Sequence, residues 1–383
     1  MMKIVLVHDG YFPKGTAFAS RLYNLAEMFF SCGIETHVIA SYTKDESIKA
    51  NCVYKEGNVT FQITDIRNRG SIDTFFGPYN FIRTVIKYIN TEKVDAVVTS
   101  RGITYYTKLI KECKKRGIRC FVEQCEWLDI SSFKFGKIDP RYLRMNYLFE
   151  KGYKSADGII AISKLLEEHF AYLGVKTIRI PTILDVIAQP CSMQTGNKKT
   201  IIVFTGSLGS RKELLSPIIS VMKDDRYLQE NIEFHIYGPS REQVKMNLDD
   251  PSELEGVSNV QVHGFVEHSE VQEAIRNADF QYFIRPNRRS SNAGFPTKLG
   301  ESLSVGTPCI TNNTGDILLY LKNGKNSYIV GEDINSSLAE ILKRIISQTK
   351  EERMLMRKAA RTTAEQNFDL RNYKAVITDF LKH

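Results

Sequence analysis

The sequence lacks the patterns that mark secreted, zinc-binding and membrane-spanning proteins. Its seven cysteines form neither a Cys-x-x-Cys pair nor a Cys/His group at the spacing of a zinc site, so we expect no structural disulfide and no zinc. No window approaches the run of about 18–20 apolar residues that crosses a bilayer. The short apolar start meets acid at Asp9 and lacks the long core and cleavage site of a signal peptide. These absences favour a cytoplasmic protein.

Acidic residues are also not arranged to hold a metal ion on a diphosphate. No Asp-x-Asp motif occurs, and the pairs Asp224-Asp225 and Asp249-Asp250 lie in polar segments. Magnesium in such sites is bound by one or two protein carboxylates together with substrate phosphates. We therefore predict no metal site and no cofactor.

The length and the charge distribution describe a folded chain of two domains. A chain of 383 residues exceeds one ordinary core, and 42% hydrophobic with 25% charged residues is usual for folded proteins. Residues 1–185 hold 27 Lys and Arg against 20 Asp and Glu, whereas the rest holds 25 against 24. A basic first half suits nucleic acid, anionic lipid or a phosphate-bearing acceptor, and equally a solvated surface with excess charge.

Buried strands alternate with helical patterns along most of the chain. The alternation runs over residues 1–185, lapses in a linker at 186–199 and restarts over 200–367. Strands alternating with helices indicate parallel sheets covered on both faces. The sequence therefore predicts an α/β protein with two Rossmann-like, doubly wound domains facing a cleft. Apolar residues at helical spacing in 368–383 predict a last helix, and its return to the first domain is implied by the family resemblance given below.

Two segments of the second half carry candidate ligand-binding residues. Residues 204–215, FTGSLGSRKELL, follow a strand; Gly206 and Gly209 suit a loop whose N–H groups, with the following helix and the cations Arg211 and Lys212, bind a diphosphate. The spacing is neither that of the nucleotide triphosphatase loop nor GxGxxG. A plain strand–helix turn with surface cations is the alternative.

The second segment combines a tight turn with an acidic residue. Gly294, Phe295 and Pro296 lead into a helix expected to begin near Thr297, and Glu301 lies about one turn inside it. A carboxylate there can accept two hydrogen bonds from a ribose diol. A solvated helical glutamate is the alternative.

Weaker candidates in the first half follow strands. His8 ends the first strand, and Gly15 and Thr16 lie in the loop after it, where phosphate or sugar hydroxyls are commonly bound. Glu123 and Glu126 follow a later strand and could bind acceptor hydroxyls or act as a base. Capping and surface salt bridges explain the two glutamates equally well.

Taken together, the segments of the second half resemble the family-4 glycosyltransferases of the GT-B fold. The resemblance covers residues 200–330 in the order FTGSLGSRKELL, IEFHIYGPSRE, VQVHGFVEHSEVQEAIRNADF and AGFPTKLGESLSVGTPCITNNTGD. It implies that Glu301 hydrogen-bonds the ribose of a nucleotide-sugar, while Ala293 stands where a second glutamate would contact the sugar. Lys212 matches the family's phosphate-binding lysine, whereas Ser207 replaces the arginine; Arg211 or Arg285 could compensate.

The resemblance also implies a reaction and a set of residues. It implies retention of configuration without a metal on the diphosphate, with helix N-termini and Lys212 stabilising the leaving group. The catalytic residues would be Lys212, Arg211 and Glu301. The donor-binding residues would be Gly206, Ser207, Arg285, Asn292, Gly294, Phe295, Pro296, Thr297 and Glu301.

The expected function is transfer of a sugar to a saccharide or lipid-linked saccharide acceptor in surface polysaccharide synthesis, with no nucleic-acid partner. Two alternatives stay open, namely a nucleotide-sugar epimerase or hydrolase of the same fold, and a degenerate glycosyltransferase that only binds. Basic, aromatic stretches at 75–90 and 135–154 could dock on the inner face of an anionic membrane, or form core helices with exposed cations.

Overall fold

The chain folds into two compact units, each built around its own sheet. The computed structural model describes residues 2–64, 79–100, 102–193, 198–209 and 212–382. The first unit comprises Met1–Ile183, Ala293–Phe295 and Leu370–His383, and the second comprises Leu184–Asn292 and Pro296–Asp369. In these described ranges, no helix has both the length and the apolar character needed to cross a bilayer.

The first unit contains an eight-stranded sheet in the order β3-β4-β2-β1-β5-β6-β7-β8. Its pairs are parallel except β3 with β4, which is antiparallel. The strands are β1 Lys3–Tyr11, β2 Glu35–Tyr42, β3 Val53–Glu56, β4 Val59–Ile63, β5 Ala96–Ser100, β6 Arg119–Gln124, β7 Gly158–Ala161 and β8 Thr177–Arg179. The helices are α1 Ala17–Ser31, α2 Tyr79–Thr91, α3 Tyr106–Lys115, α4 Pro140–Glu150 and α5 Lys164–Tyr172.

The second unit contains a six-stranded parallel sheet in the order β11-β10-β9-β12-β13-β14. The strands are β9 Thr200–Thr205, β10 Ile232–Tyr237, β11 Val260–Gly264, β12 Phe280–Phe283, β13 Cys309–Asn312 and β14 Ser327–Val330. The helices are α6 Ser216–Asp224, α7 Arg226–Asn231, α8 Arg241–Asn247, α9 His268–Asn277, α10 Arg289–Ala293, α11 Thr297–Ser304, α12 Ile317–Tyr320, α13 Ile334–Ser347 and α14 Lys350–Asn367. Strand order reverses between β9 and β12, the place where open α/β sheets bind ligands.

The last helix, α15 Lys374–Lys382, belongs to the first unit. Ile377, Phe380 and Leu381 are buried in the core of that unit, and the rings of Phe380 and Phe121 lie 5.3 Å apart between centroids. A Cβ added to Gly158 would lie 2.5 Å from the Phe380 ring, so the helix packs directly on β7. The expected α/β fold with two doubly wound parallel sheets and a returning terminal helix is confirmed.

Candidate active site

In the second unit, the loops that follow β9 and β12 are fastened together at the reversal of strand order. The N–H of Leu214 donates to the carbonyl oxygen of Ile284 at 2.8 Å. The hydroxyl of Tyr282 donates to the carbonyl oxygen of Leu214 at 2.9 Å. The two segments singled out in the sequence, after β9 and after β12, therefore meet at one edge of the sheet.

The helix expected to follow the first loop directly begins later, which corrects the sequence analysis. Helix α6 starts at Ser216, ten positions after Gly206. The N–H of Leu215 donates to Oδ1 of Asn247 at 3.2 Å, and that of Leu214 is bound to Ile284. The N–H groups of the two residues just before the helix are therefore already bonded within the protein.

Glycines at the strand ends bring two backbones into contact. Gly206 and Gly238 have φ of 114° and 111°, and the N–H of Gly206 donates to the carbonyl oxygen of Tyr237 at 3.0 Å. A Cβ on Gly238 would lie 2.3 Å from the oxygen of Gly206. Only glycine combines this close approach with a positive φ.

The side of this loop that the sequence predicts to bind phosphate is open to solvent. Gly206, Ser207 and Lys212 are all exposed. Arg211 lies outside the described residues. A ligand can therefore reach the predicted phosphate-binding residues that the structure describes.

Glu301 lies in the second turn of α11, as the sequence indicates, and its side chain is half-buried. Burial raises the pKa of its carboxyl group, while the nearby charges of His268 and Lys298 oppose that rise. A carboxylate with few water contacts is a strong acceptor for a hydroxyl pair.

An ion pair that the sequence analysis missed links the first loop to α11. Lys298 and Glu213 form this pair, and their side chains are 11% and 8% exposed. The ammonium nitrogen of Lys298 lies 4.7 Å from the centroid of the Phe204 ring. A Cβ on Gly206 would lie 2.9 Å from Cε of Lys298, so the lysine lies against the glycine loop. The one available signal was the position of Lys298 three residues before Glu301, on the same helix face.

Arg285 and Asn292 hold the loop after β12 in shape. The Arg285 side chain is buried and donates from Nη1 to the carbonyl oxygen of Ser291 at 3.1 Å. Asn292 donates to Oδ1 of Asn287 at 2.8 Å, and its Oδ1 accepts from the N–H of Gly315 at 2.8 Å. The contacts shown by these predicted donor-binding residues are made within the loop and to neighbouring segments of the second unit.

The Gly-Phe-Pro turn is buried. Ala293, Gly294, Phe295 and Pro296 are shielded from solvent, and α11 begins at Thr297 as expected. Pro296 precedes the helix and no side-chain hydrogen bond caps the first turn. Residues Ala293–Phe295 are grouped with the first unit, whereas Pro296 and Thr297 belong to the second.

In the first unit, the loop after β1 holds one candidate in a helix cap. His8 is buried within β1, three residues before the strand ends at Tyr11 rather than at its end as expected, and it stacks on Phe18 with 5.9 Å between ring centroids. Thr16 is the N-cap of α1, since its hydroxyl accepts from the N–H of Ala19 at 3.1 Å. Gly15 has a φ of 98° and packs against Lys44.

The structure does not support Glu123 as an acceptor-binding residue. Its side chain is 0% exposed and accepts from Nε of Arg21 at 2.6 Å and from the thiol of Cys125 at 2.5 Å. Arg21 also donates to the carbonyl oxygens of Ile180 and Pro181 at 2.9 and 2.6 Å. Glu123 thus belongs to a buried structural cluster. Glu126 is half-buried, and its carbonyl oxygen accepts from Gln124.

Residues 191–363 match the model of the family described as glycosyl transferases group 1. This segment is therefore similar in sequence to the group 1 glycosyltransferases. It contains both fastened loops, the Lys298–Glu213 pair and Glu301. No curated protein sequence matches the chain.

Solved structures show the same fold over the whole chain. Sucrose-phosphate synthase (tll1590) from Thermosynechococcus elongatus is 12% identical, with a TM-score of 0.75 over 100% of this chain and 98% of that one. Anabaena Alr3699/HepE in complex with UDP and glucose is 13% identical, with a TM-score of 0.72 over 100% of both chains. The lipopolysaccharide outer core galactosyltransferase WaaB is 16% identical, with a TM-score of 0.65 over 100% of this chain and 99% of that one. The GT-B fold expected from the sequence is confirmed.

Proposed function

We propose that this protein is a retaining glycosyltransferase that moves a sugar from a nucleotide diphosphate sugar to a saccharide or lipid-linked saccharide. The observation that carries the proposal is that the segment after β9 is joined, at the reversal of strand order, to the end of β12 by hydrogen bonds and to helix α11 by the Lys298–Glu213 pair, all within the segment that matches the group 1 model. Anabaena HepE, which has the same fold, was solved with UDP-glucose. We propose a similar donor class here and surface polysaccharide synthesis as the setting.

In the proposed reaction, Glu301 accepts hydrogen bonds from the ribose and Lys212 contacts the diphosphate. The bond between the anomeric carbon and the diphosphate oxygen breaks, and the acceptor hydroxyl forms a new bond on the same face. A phosphate oxygen of the leaving group takes the hydroxyl proton, while cationic groups stabilise the charge that develops on the diphosphate. This scheme needs no protein nucleophile, and we propose that it needs no metal.

Nucleotide binding is the first test of the proposal. The stability of the purified chain is measured by thermal unfolding with UDP-, GDP- and ADP-sugars, since a ligand bound only by the folded state raises stability. We expect one base to raise the unfolding temperature and the others to have little effect. No shift with any nucleotide-sugar at millimolar concentration would contradict the proposal.

Product analysis then separates transfer from the alternatives. With the stabilising donor and a mixture of saccharide acceptors, we expect a glycosylated product and release of the nucleotide diphosphate. The variant Lys212→Ala should retain most of the donor affinity and lose turnover. Conversion of the donor to an isomer without acceptor would indicate an epimerase, and binding without any reaction would indicate a binding subunit.

We further propose that the first unit docks on an anionic membrane at the inner face of the cell. Around α4, the apolar side chains of Phe135, Ile138, Leu143 and Tyr147 are exposed rather than buried. Lys134 is exposed beside them, with its ammonium nitrogen 5.7 Å from the centroid of the Phe135 ring. Apolar side chains flanked by cations suit the interface of an anionic bilayer. The basic, aromatic stretch at 75–90 contributes Tyr79, which is exposed at the start of α2. Residues 75–78 of that stretch lie outside the described residues.

Sedimentation with vesicles tests the docking. We expect binding to vesicles containing anionic phosphatidylglycerol at low salt, with less binding to neutral vesicles and at high salt. The variant Ile138→Asp should weaken binding, whereas Tyr172→Asp, at another exposed position of the first unit, should not. Failure to bind anionic vesicles at low salt would contradict membrane docking and would leave the proposal of transferase activity unchanged.

A further inference from the structure

The Lys298–Glu213 ion pair lies at the loop to which the proposed function assigns the diphosphate. Lys298 comes from the first turn of α11 and Glu213 from the segment after β9, and both side chains are largely buried. Burying two charges costs free energy, which the attraction between them offsets only in part. The pair therefore calls for an explanation beyond the stability of the fold.

Fastening the loop is not a sufficient explanation, because neutral hydrogen bonds already do so. Leu214 is bonded to Ile284 through its N–H and to Tyr282 through its carbonyl oxygen. Asn247 bonds both the N–H of Leu215 and the carbonyl oxygen of Glu213, at 3.2 and 3.1 Å. The backbone at Glu213 and at the two residues after it is therefore held without the ion pair.

The position of Lys298 points to a ligand instead. A Cβ on Gly206 would lie 3.2 Å from its ammonium nitrogen, and Gly206 is exposed at the carboxyl end of β9. Gly206 has no side chain to separate this nitrogen from the loop surface. A lysine side chain has four rotatable bonds, so a small rotation brings the ammonium group from Glu213 to an anion on the loop.

The balance of charge at the loop favours the same role. At the loop after β9, the charged side chains that the structure describes are Lys212, which is exposed, and Lys298, which is paired with Glu213; Arg285 and Glu301 lie on the segments after β12. A diphosphate brings further negative charge, and a lysine neutralised by Glu213 contributes little attraction. We infer that Lys298 binds the diphosphate and that Glu213 holds the lysine in position, and partly neutralised, in the ligand-free protein. The inference rests on the proposed function.

Four variants test the inference by the difference between a nucleotide and its nucleoside. Calorimetry measures the affinities for UDP and uridine, for ADP and adenosine, and for GDP and guanosine. The proteins compared are the wild type, Lys298→Met, Lys298→Arg, Glu213→Gln and the double variant Lys298→Met/Glu213→Gln. We expect Lys298→Met to weaken the preferred diphosphate about tenfold or more, as for loss of a charged hydrogen bond. The matching nucleoside should change less than about twofold, and Lys298→Arg should restore part of the lost affinity.

Glu213→Gln is expected to have the opposite effect. The amide is neutral and competes less with the diphosphate, so the affinity for the diphosphate should rise about threefold or more. In the double variant this gain should vanish, because the lysine that it releases is absent. Lys343→Met, which removes a lysine paired with Asp225 elsewhere in the second unit, is the matched control and should leave both affinities unchanged.

The outcomes separate this inference from the proposed function. If Lys298→Met weakened the binding of diphosphate and nucleoside equally, or if Glu213→Gln weakened the binding of the diphosphate, the ion pair would be structural. Either result would overturn this inference and leave the proposed function standing. Thermal unfolding of each variant identifies loss of the fold, and Lys298→Arg keeps the test valid if Lys298→Met is unfolded. Absence of binding of every nucleoside diphosphate to the wild-type protein would overturn both proposals.

Discussion

At the scale of single residues, Glu301 is the side chain on which nucleotide recognition depends in our proposal. Its carboxyl group must be charged to accept two hydrogen bonds from a ribose, yet burial raises its pKa and so disfavours the charge. The folded protein therefore holds this proton more tightly than the unfolded chain, whose value is near 4.5. Between 4.5 and the raised folded value, the free energy of unfolding falls as the pH rises.

Replacement of Glu301 by glutamine should separate binding from stability. At neutral pH, we expect Glu301→Gln to raise the free energy of unfolding, because the amide carries no charge to be buried. The same variant should weaken nucleoside binding by about 1–3 kcal/mol, since a charged acceptor is lost. Denaturant unfolding at pH 4 to 8 and calorimetry with the preferred nucleoside provide both values. A variant that binds as tightly as the wild type would contradict the role of Glu301.

Sequence reasoning at this scale found residues that follow a motif and missed those that depend on distant partners. Glu301 and the glycines at 206 and 294 could be placed because each stands at a fixed distance from a strand or helix end. Lys298 and Glu213 are 85 positions apart, and no local pattern indicates that they meet. For the same reason the sequence could not decide whether Glu123 binds an acceptor or forms a salt bridge, since its partner Arg21 lies 102 positions away.

At the scale of elements, helix α11 is positioned largely by α14. Arg361 of α14 donates to the carbonyl oxygen of Ser304, the last residue of α11. Arg357, one turn earlier, is buried and donates to the carbonyl oxygens of Ala278 and Ser192 at 2.6 and 2.9 Å. These two arginines join α14 to the end of α11 and to the segment after α9, so the placement of Glu301 depends on a helix far along the chain.

Loss of the buried guanidinium should destabilise the second unit. We expect Arg357→Met to lower the free energy of unfolding by about 3 kcal/mol or more, because the carbonyl groups left unpaired cost about 1–3 kcal/mol each. Lys358→Met, an exposed position on the same helix, should change it by less than about 0.5 kcal/mol. Chemical denaturation compares the two. Equal stability of both variants would show that the hydrogen bonds of the Arg357 guanidinium do not stabilise the second unit.

Element types could be read from the sequence wherever burial repeats regularly. The alternation of apolar strands and amphipathic helices gave the parallel sheets of both units, because strands covered on both faces are continuously apolar. Strand β3, Val53–Glu56, was missed since it is short, antiparallel and only partly buried. The delayed start of α6 at Ser216 was missed because the residues before it are held by contacts to Ile284 and Asn247, which no local pattern encodes.

At the scale of the whole molecule, the chain does not divide at a single point. The first unit is completed by the last residues, from Leu370 onward, and by Ala293–Phe295. The terminal helix was expected from the apolar spacing of residues 368–383, and its return to the first unit from the resemblance to GT-B glycosyltransferases. The grouping of Ala293–Phe295 with the first unit could not be predicted, since such groupings follow from contacts between residues distant in sequence.

The first unit should therefore depend on a helix at the far end of the chain. Phe380 of α15 is 1% exposed and packs on Phe121 and Gly158, whereas Val376 on the same helix is 47% exposed. Truncation of a buried phenylalanine costs about 3–5 kcal/mol, so Phe380→Ala should destabilise the first unit by that amount and Val376→Ala by far less. Hydrogen exchange resolves the effect by region. In Phe380→Ala, amides of β6 and β7 should exchange faster, while those of β9 and β12 should keep the wild-type rate. Unchanged exchange in β6 and β7 would show that the terminal helix does not contribute to the stability of the first unit.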